Sequence, residues 1–230
     1  MSQTQPDMYV GIIEETGSTG GNFAVESFPF DAPVQAGYSK HTTPALPFDI
    51  SVLSMHLDTG GLNGTDRLKA AINPEFDIGL IPGVDGDIAA DAADTSLEIT
   101  IDASLMALAD LEFPKLFVGQ ELWLDDGVNK ESCGLILSID KENNKVTVQS
   151  TRTNSFSATS PKTKVKLTTW LTPQILGNGF FEIGSGGMIY SAGESKIGAS
   201  HIPKGSVFEF QYLNTGASVV RVVPKFDLLY

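Results

Sequence analysis

A mainly β protein is expected, built from small barrel or sandwich units with one or two short helices and an extended N-terminal arm. Three observations lead there. Twenty-three Gly and 12 Pro are spread along 230 residues, which favours many turns and short strands over long helices. Apolar residues come in runs of about four to eight, bounded by Gly, Pro, Asn and Ser, and several of these runs alternate. A hydrophobic content of 41% is enough to bury a real core, which sets wholesale disorder aside.

Residues 1–47 have the texture of an arm. A first strand is expected at Tyr9–Ile13, and the Gly-rich stretch 17–21 follows at once. Phe28-Pro29-Phe30, Ala32-Pro33, Thr43-Pro44 and Leu46-Pro47 then hold the backbone extended, because each proline removes a donor and restricts the residue before it. Isolated aromatics in such a segment, Phe28, Phe30 and Tyr38, are candidates for docking on the chain itself or on a neighbour.

Residues 48–115 are expected to mix strands and short helices. Phe48–Leu57 reads as a strand that ends before Gly60-Gly61. Thr65 or Asn63 is placed to cap a helix over Asp66–Ile72, closed by Asn73-Pro74. Pro82–Gly86 is a turn and 87–95 an acidic, Ala-rich loop. Leu97–Ile101 alternates cleanly as a half-buried strand. Asp102 or Ser104 then caps a helix over Leu105–Leu111.

Residues 116–230 are expected to form a β barrel or sandwich region. Strands are read at Phe117–Leu124, Cys133–Ile139, Val146–Ser150 and Val165–Trp170, with Asp140–Lys145 as a polar hairpin connection. After 177 come three apolar runs at 180–183, 206–213 and 219–223. The last two are expected to pair as a hairpin across Asn214–Ser218. The chain closes on Phe226, Leu228, Leu229 and Tyr230, an apolar end that calls for a packing site on the chain or on a neighbouring subunit.

The net charge is −13 and the pI near 4.5, which argues against a duplex nucleic acid partner. Residues 1–127 carry four Lys/Arg against 21 Asp/Glu, and residues 128–230 carry eleven against seven. Such an imbalance suggests an acidic face able to meet a basic one. A single cysteine, Cys133, excludes an internal disulfide framework; it sits in an apolar run where a packed thiol is expected. The N-terminus lacks the basic and apolar regions of a signal peptide, and no apolar run approaches about 18 residues. No membrane partner is therefore expected, and a chain made soluble in a cytoplasm is.

Few residues suggest chemistry. His41, His56 and His201 are far apart and have no metal-ligand spacing. Phosphate-loop, dinucleotide-binding and nucleophile-elbow motifs are all missing. Taking Asp87 as the first position of a calcium loop puts Asp91 fifth and Glu98 twelfth. Ala89 and Ala92 then occupy the third and sixth positions, where a ligand and a glycine belong, so the motif fails. Lys162, Lys164 and Lys166 alternate with Val165 and Leu167, as on a solvated edge strand. Trp123 and Trp170, with Tyr38, Tyr190 and Tyr212, offer a sugar-stacking platform or, more economically, core packing. No catalytic residue, cofactor or metal is assigned, and a non-enzymatic role is expected.

Residues 116–230 resemble virion structural proteins of tailed bacteriophages, of the capsid decoration or cement type. The resemblance lies in Val118-Gly-Gln-Glu-Leu-Trp-Leu124, Gly134-Leu-Ile-Leu-Ser-Ile-Asp140, Val146-Thr-Val148 and Ile202-Pro-Lys-Gly-Ser-Val207. It implies a homo-oligomer, with a trimer favoured, located in the virion after assembly in the host cytoplasm. The implied partners are the major capsid protein or other virion subunits. Phe28, Phe30, Tyr38, Phe226, Leu228, Leu229 and Tyr230 are then the candidate interaction residues. The alternatives are a β-sandwich module for glycan binding or adhesion, or another virion part such as a tail or connector protein.

Overall fold

The computed structural model describes residues 10–12, 23–47, 49–59, 65–111, 114–170, 181–182, 187–191 and 201–229. The glycine-rich stretches at 17–21, 60–61 and 184–186 lie outside them. The described chain is mainly β. Its strands are β1 (Val10–Ile12), β2 (Phe23–Ser27), β3 (Phe30–Ala32), β4 (Ser39–Thr42), β5 (Ile50–Thr59), β6 (Arg67–Asp77), β7 (Glu98–Thr100) and β8 (Glu121–Asp125). They continue as β9 (Lys130–Asp140), β10 (Lys145–Val148), β11 (Lys164–Trp170), β12 (Phe181–Glu182), β13 (Gly187–Ser191), β14 (His201–Ile202), β15 (Phe208–Leu213) and β16 (Val220–Leu229). One α-helix, α1 (Ala103–Met106), is present among the described residues, with 3-10 turns at Ile78–Leu80 and Ala107–Ala109.

The chain forms two compact units, one from residues 1–72 and 171–230, the other from 73–170. The segment 1–47 therefore falls in the first unit, 48–115 is divided inside β6, and 116–230 is divided after Trp170.

The first unit is a β-sandwich. In one sheet β16 lies centrally, pairing β2 and β3 on one side and β5 on the other, with β1, β13 and β14 further out. In the other sheet β15 lies between β4 and β6. All these pairings are antiparallel, and the core between the sheets takes residues from both. Phe30, Ala32, Ile50, Val220, Val222 and Phe226 come from the first sheet; Leu68, Ala70, Phe208, Phe210 and Tyr212 come from the second. Phe208 and Phe226 stack across it with centroids 5.0 Å apart.

Two expectations fail here. Residues 66–72 are not a helix but the start of β6. Leu68 and Ala70 alternate into the core, and Ala71 and Ile72 are buried as well. The alanines that favour a helix also fit the tight space between sheets, and burial overrides intrinsic propensity. Nor do β15 and β16 form a hairpin: they belong to opposite sheets. Residues 214–219 arch from one to the other, held by Asn214. Its Nδ2 donates to the carbonyls of Ala32 and Ser218, each at 2.9 Å, and its Oδ1 accepts from the Gly216 N–H. Both strands are apolar toward the core, so facing one another buries more than lying side by side would.

The second unit follows expectation more closely. β11, β8, β9, β10 and β7 run in that spatial order, all antiparallel. The 140–145 connection is the expected polar turn, with Asp140 accepting from the Asn143 backbone and side chain. β11 is flanked rather than at an edge, because β8 and β6 both neighbour it. Among the described residues the strands form no closed barrel. Residues 86–89 instead span β11 and β7 through single bridges, Asp87 to Lys164 and Ile88 to Ile101. Gly134 adopts φ +72° where the register of β9 against β8 shifts, a bulge that favours glycine. The expected helix 105–111 is shorter and begins earlier: Asp102 caps it by accepting from the Ser104 N–H at 2.8 Å. Ile99, Ile101, Leu105, Leu122, Leu124, Ile136, Val146, Val148, Phe156 and Val165 make the core.

Candidate functional site

The expected interaction residues divide into three groups. Phe28, Phe30 and Phe226 pack within the first unit. Phe28 contacts the rings of Phe208, Phe210 and Phe226 at 5.8, 6.2 and 5.6 Å, and Phe226 is fully buried. Phe30 stacks on His41 at 4.0 Å and 15°, and lies 5.9 Å from Phe210. Leu228 and Leu229 belong to β16, opposite Ala24 and Phe23 of β2. Tyr230 lies outside the described residues. Tyr38 is half-buried in a loop, with the Lys69 Nζ 4.9 Å from its ring centroid. Burial raises the Tyr38 phenol above its ordinary value, and Arg67 opposes that rise.

The chemistry-bearing residues are dispersed, and each holds local structure. Cys133 is buried in β9, and burial pushes its thiol up to about 11 despite the Arg152 guanidinium 3.8 Å from Sγ. A thiol so placed is protonated and shielded at neutral pH. Arg152, itself 7% exposed, donates through Nη2 to the carbonyls of Ala93 and Ser96 and ties the acidic loop to the unit.

That loop gathers no cation site among the described residues. Asp85 accepts from the Asp87 N–H, Asp91 from the Ala158 N–H at 2.8 Å, and Asp94 from the Thr95 N–H. Asp87 pairs with Lys162 at 3.2 Å and Glu98 with Lys145 at 2.8 Å. The lysines of β11 are engaged likewise, Lys164 with Asp77 at 3.0 Å and Lys166 with Asp125 at 2.6 Å. The solvated edge-strand pattern is thus a set of ion pairs on a flanked strand.

The two tryptophans do not make a platform together. Trp170 is 9% exposed and its Nε1 donates to Glu121 at 3.1 Å. Trp123 is half-buried under Lys130, whose Nζ lies 5.7 Å from its ring centroid and pairs with Glu75 at 2.5 Å. Tyr212 is buried, and its hydroxyl donates to Asp66.

The sequence places Asp66 at the start of an expected helix and gives no signal for Arg152. Asp66 has no exposed surface; it accepts from the Tyr212 hydroxyl at 2.9 Å and from the Thr215 N–H and hydroxyl at 2.8 Å each. The Tyr212 phenol is raised well above its ordinary range, by burial first and by this bond second. A carboxylate before an alternating run was the available signal. No helix among the described residues is long and apolar enough to cross a membrane.

No family model and no curated protein matches the chain. Among solved structures, similarity is found to VP17, a capsid protein of bacteriophage P23-77, at 5% identity and TM-score 0.17, covering 98% of this chain and 100% of that one. Two structures of infectious bursal disease virus, Gt and Gx strains, match at 11% and 14% identity with TM-scores 0.12 and 0.13. These cover 99% and 94% of this chain but 48% and 44% of the viral chains. Scores at this level do not describe a shared chain trace.

Proposed function

We propose that the protein is a non-enzymatic structural subunit of a virus particle, decorating or cementing a capsid by bridging shell subunits. The observation that carries the structural half is the use made of its ionisable groups. Asp66, Arg152, Cys133, the loop acids and the β11 lysines are each turned to holding a strand or loop. The virion half is supported by the resemblance of residues 116–230 to phage decoration proteins. On this reading the protein works as a homo-oligomer, with a trimer favoured, on the major capsid protein or other virion subunits. Tyr38 and the chain end at Leu228–Tyr230 are the proposed contacts, while Phe28, Phe30 and Phe226 fasten the N-terminal strands.

The test is sedimentation of purified protein with particles of the virus whose genome encodes it, together with light scattering of the free protein. A stable oligomer that co-sediments with shells and raises their rupture temperature is expected. A monomer with no affinity for shells overturns the reading. Antibody labelling confined to a vertex or tail would assign it to a connector or tail instead.

A further inference from the structure

We propose that His41 is an acid-sensitive clasp: the folded first unit accommodates a neutral imidazole and rejects the imidazolium, so acidification loosens β3 and β4 from the core. This stands independently of the virion reading. β4 is a four-residue strand paired with β15, and His41 sits opposite Phe210, whose ring points into the core. The imidazole reaches across to Phe30 of the other sheet, with ring centroids 4.0 Å apart and planes 15° from parallel. One side chain thus joins the margins of both sheets.

Its Nε2 is buried and finds no hydrogen-bond partner among the described residues. The neutral ring can carry its single proton on the other nitrogen. The imidazolium carries protons on both, which leaves a charged N–H buried without an acceptor. Stacking on the Phe30 face offsets part of that cost but supplies no acceptor.

The surrounding charges do not rescue it. On β3, Asp31 attracts the imidazolium, but its Oδ1 already accepts from Arg221 of β16 at 3.0 Å, and both side chains are more than half exposed. On β15, Tyr212 stays protonated and bonded to Asp66, while Glu209 accepts from the Gln211 Nε2 at 2.6 Å. On β4 itself, Lys40 adds like charge and Ser39 donates to the Tyr212 carbonyl. Burial holds His41 below its ordinary value of 6.5, with Asp31 opposing less strongly. A depressed histidine contributes fully above its unfolded value, and its contribution is lost as pH falls from there through the folded value.

The experiment is hydrogen exchange of the full chain at about pH 7.5 and about pH 5.5, corrected for intrinsic rates, with NMR titration of the three imidazoles. Amides of 28–46 are expected to lose protection on acidification while those of 98–148 keep it. His41→Phe, which keeps a stacked ring but does not titrate, is expected to abolish that loss. Should the variant not fold, the titration of His41 in the unaltered chain decides. A His41 that titrates at or above its ordinary value overturns the proposal. So does unchanged protection of 28–46, or an equal loss in wild type and variant.

Discussion

Asp66 has no surface in water, yet it accepts three hydrogen bonds from the far end of the chain. One of its partners, the Tyr212 hydroxyl, belongs to a fully buried residue and has no water to turn to, whereas Thr215 is exposed. Replacing Asp66 by Ala is therefore expected to lower the unfolding free energy by about 2 kcal/mol, since a stranded buried donor costs about 1–3 kcal/mol. Urea unfolding followed by tyrosine fluorescence would measure it. A loss under about 1 kcal/mol would show that water replaces the carboxylate easily. This residue also shows where sequence reasoning stops. An acid after Thr65 and before Arg67–Ile72 satisfies the rules for a helix start, and its real partners lie about 150 residues away.

At the scale of elements, what was legible is what closes locally. β9, the 140–145 turn and β10 match expectation within three residues, because turn chemistry and alternation lie within one short stretch. β6 was missed, and so was the assignment of β15 and β16 to different sheets, because those strands take their partners from distant segments. Of the candidate contact set, the aromatic character was visible but not which rings the chain buries itself.

The loop between β6 and β7 offers a test of tight backbone contact. A Cβ on Gly86 would lie 2.5 Å from the Gly79 nitrogen and 2.6 Å from its Cα, whereas a Cβ on Gly83 would meet nothing within 4 Å. Gly86→Ala is expected to cost about 3 kcal/mol, as overpacking against rigid backbone does. Gly83→Ala, whose φ is +81°, should cost about 1 kcal/mol through conformation alone. Thermal unfolding of the two variants orders them, and an equal loss would contradict the close approach.

The turns of the second unit share an acid dependence. Hydrogen bonds from neighbouring groups hold Asp102, Asp126 and Asp140 below their ordinary values, Asp102 through Ser104, Asp126 through the Asn129 N–H and Asp140 through Asn143. Carboxylates depressed on folding stabilise above their unfolded value, and that contribution is lost as pH falls through the folded one. The second unit should therefore hold its stability down to about pH 4 and lose it below. Urea midpoints measured from neutral pH to about pH 3 test this, and a midpoint unchanged over that last unit would contradict it.

Over the whole molecule, the charge imbalance read along the chain does not survive folding. The first unit holds seven Lys/Arg against 12 Asp/Glu and the second eight against 16, so both are acidic. Attraction between an acidic and a basic half cannot then drive self-association. The proposed oligomer is expected to persist or strengthen as salt rises from about 0.05 to 0.5 M, because screening weakens the repulsion of like-charged copies. Light scattering across that range checks it, and dissociation by salt would point to opposed charged patches instead.

The interleaving of the first unit has a consequence for synthesis. Its central strands, β15 and β16, are made after every strand they pair with. The second unit is contiguous from 73 to 170 and has all its partners once that stretch has left the ribosome. The nascent chain therefore carries β2–β6 without their central neighbours while the inserted unit folds, so the later-encoded unit matures first. Emergence of β15 and β16 is the step that lets the earlier strands close.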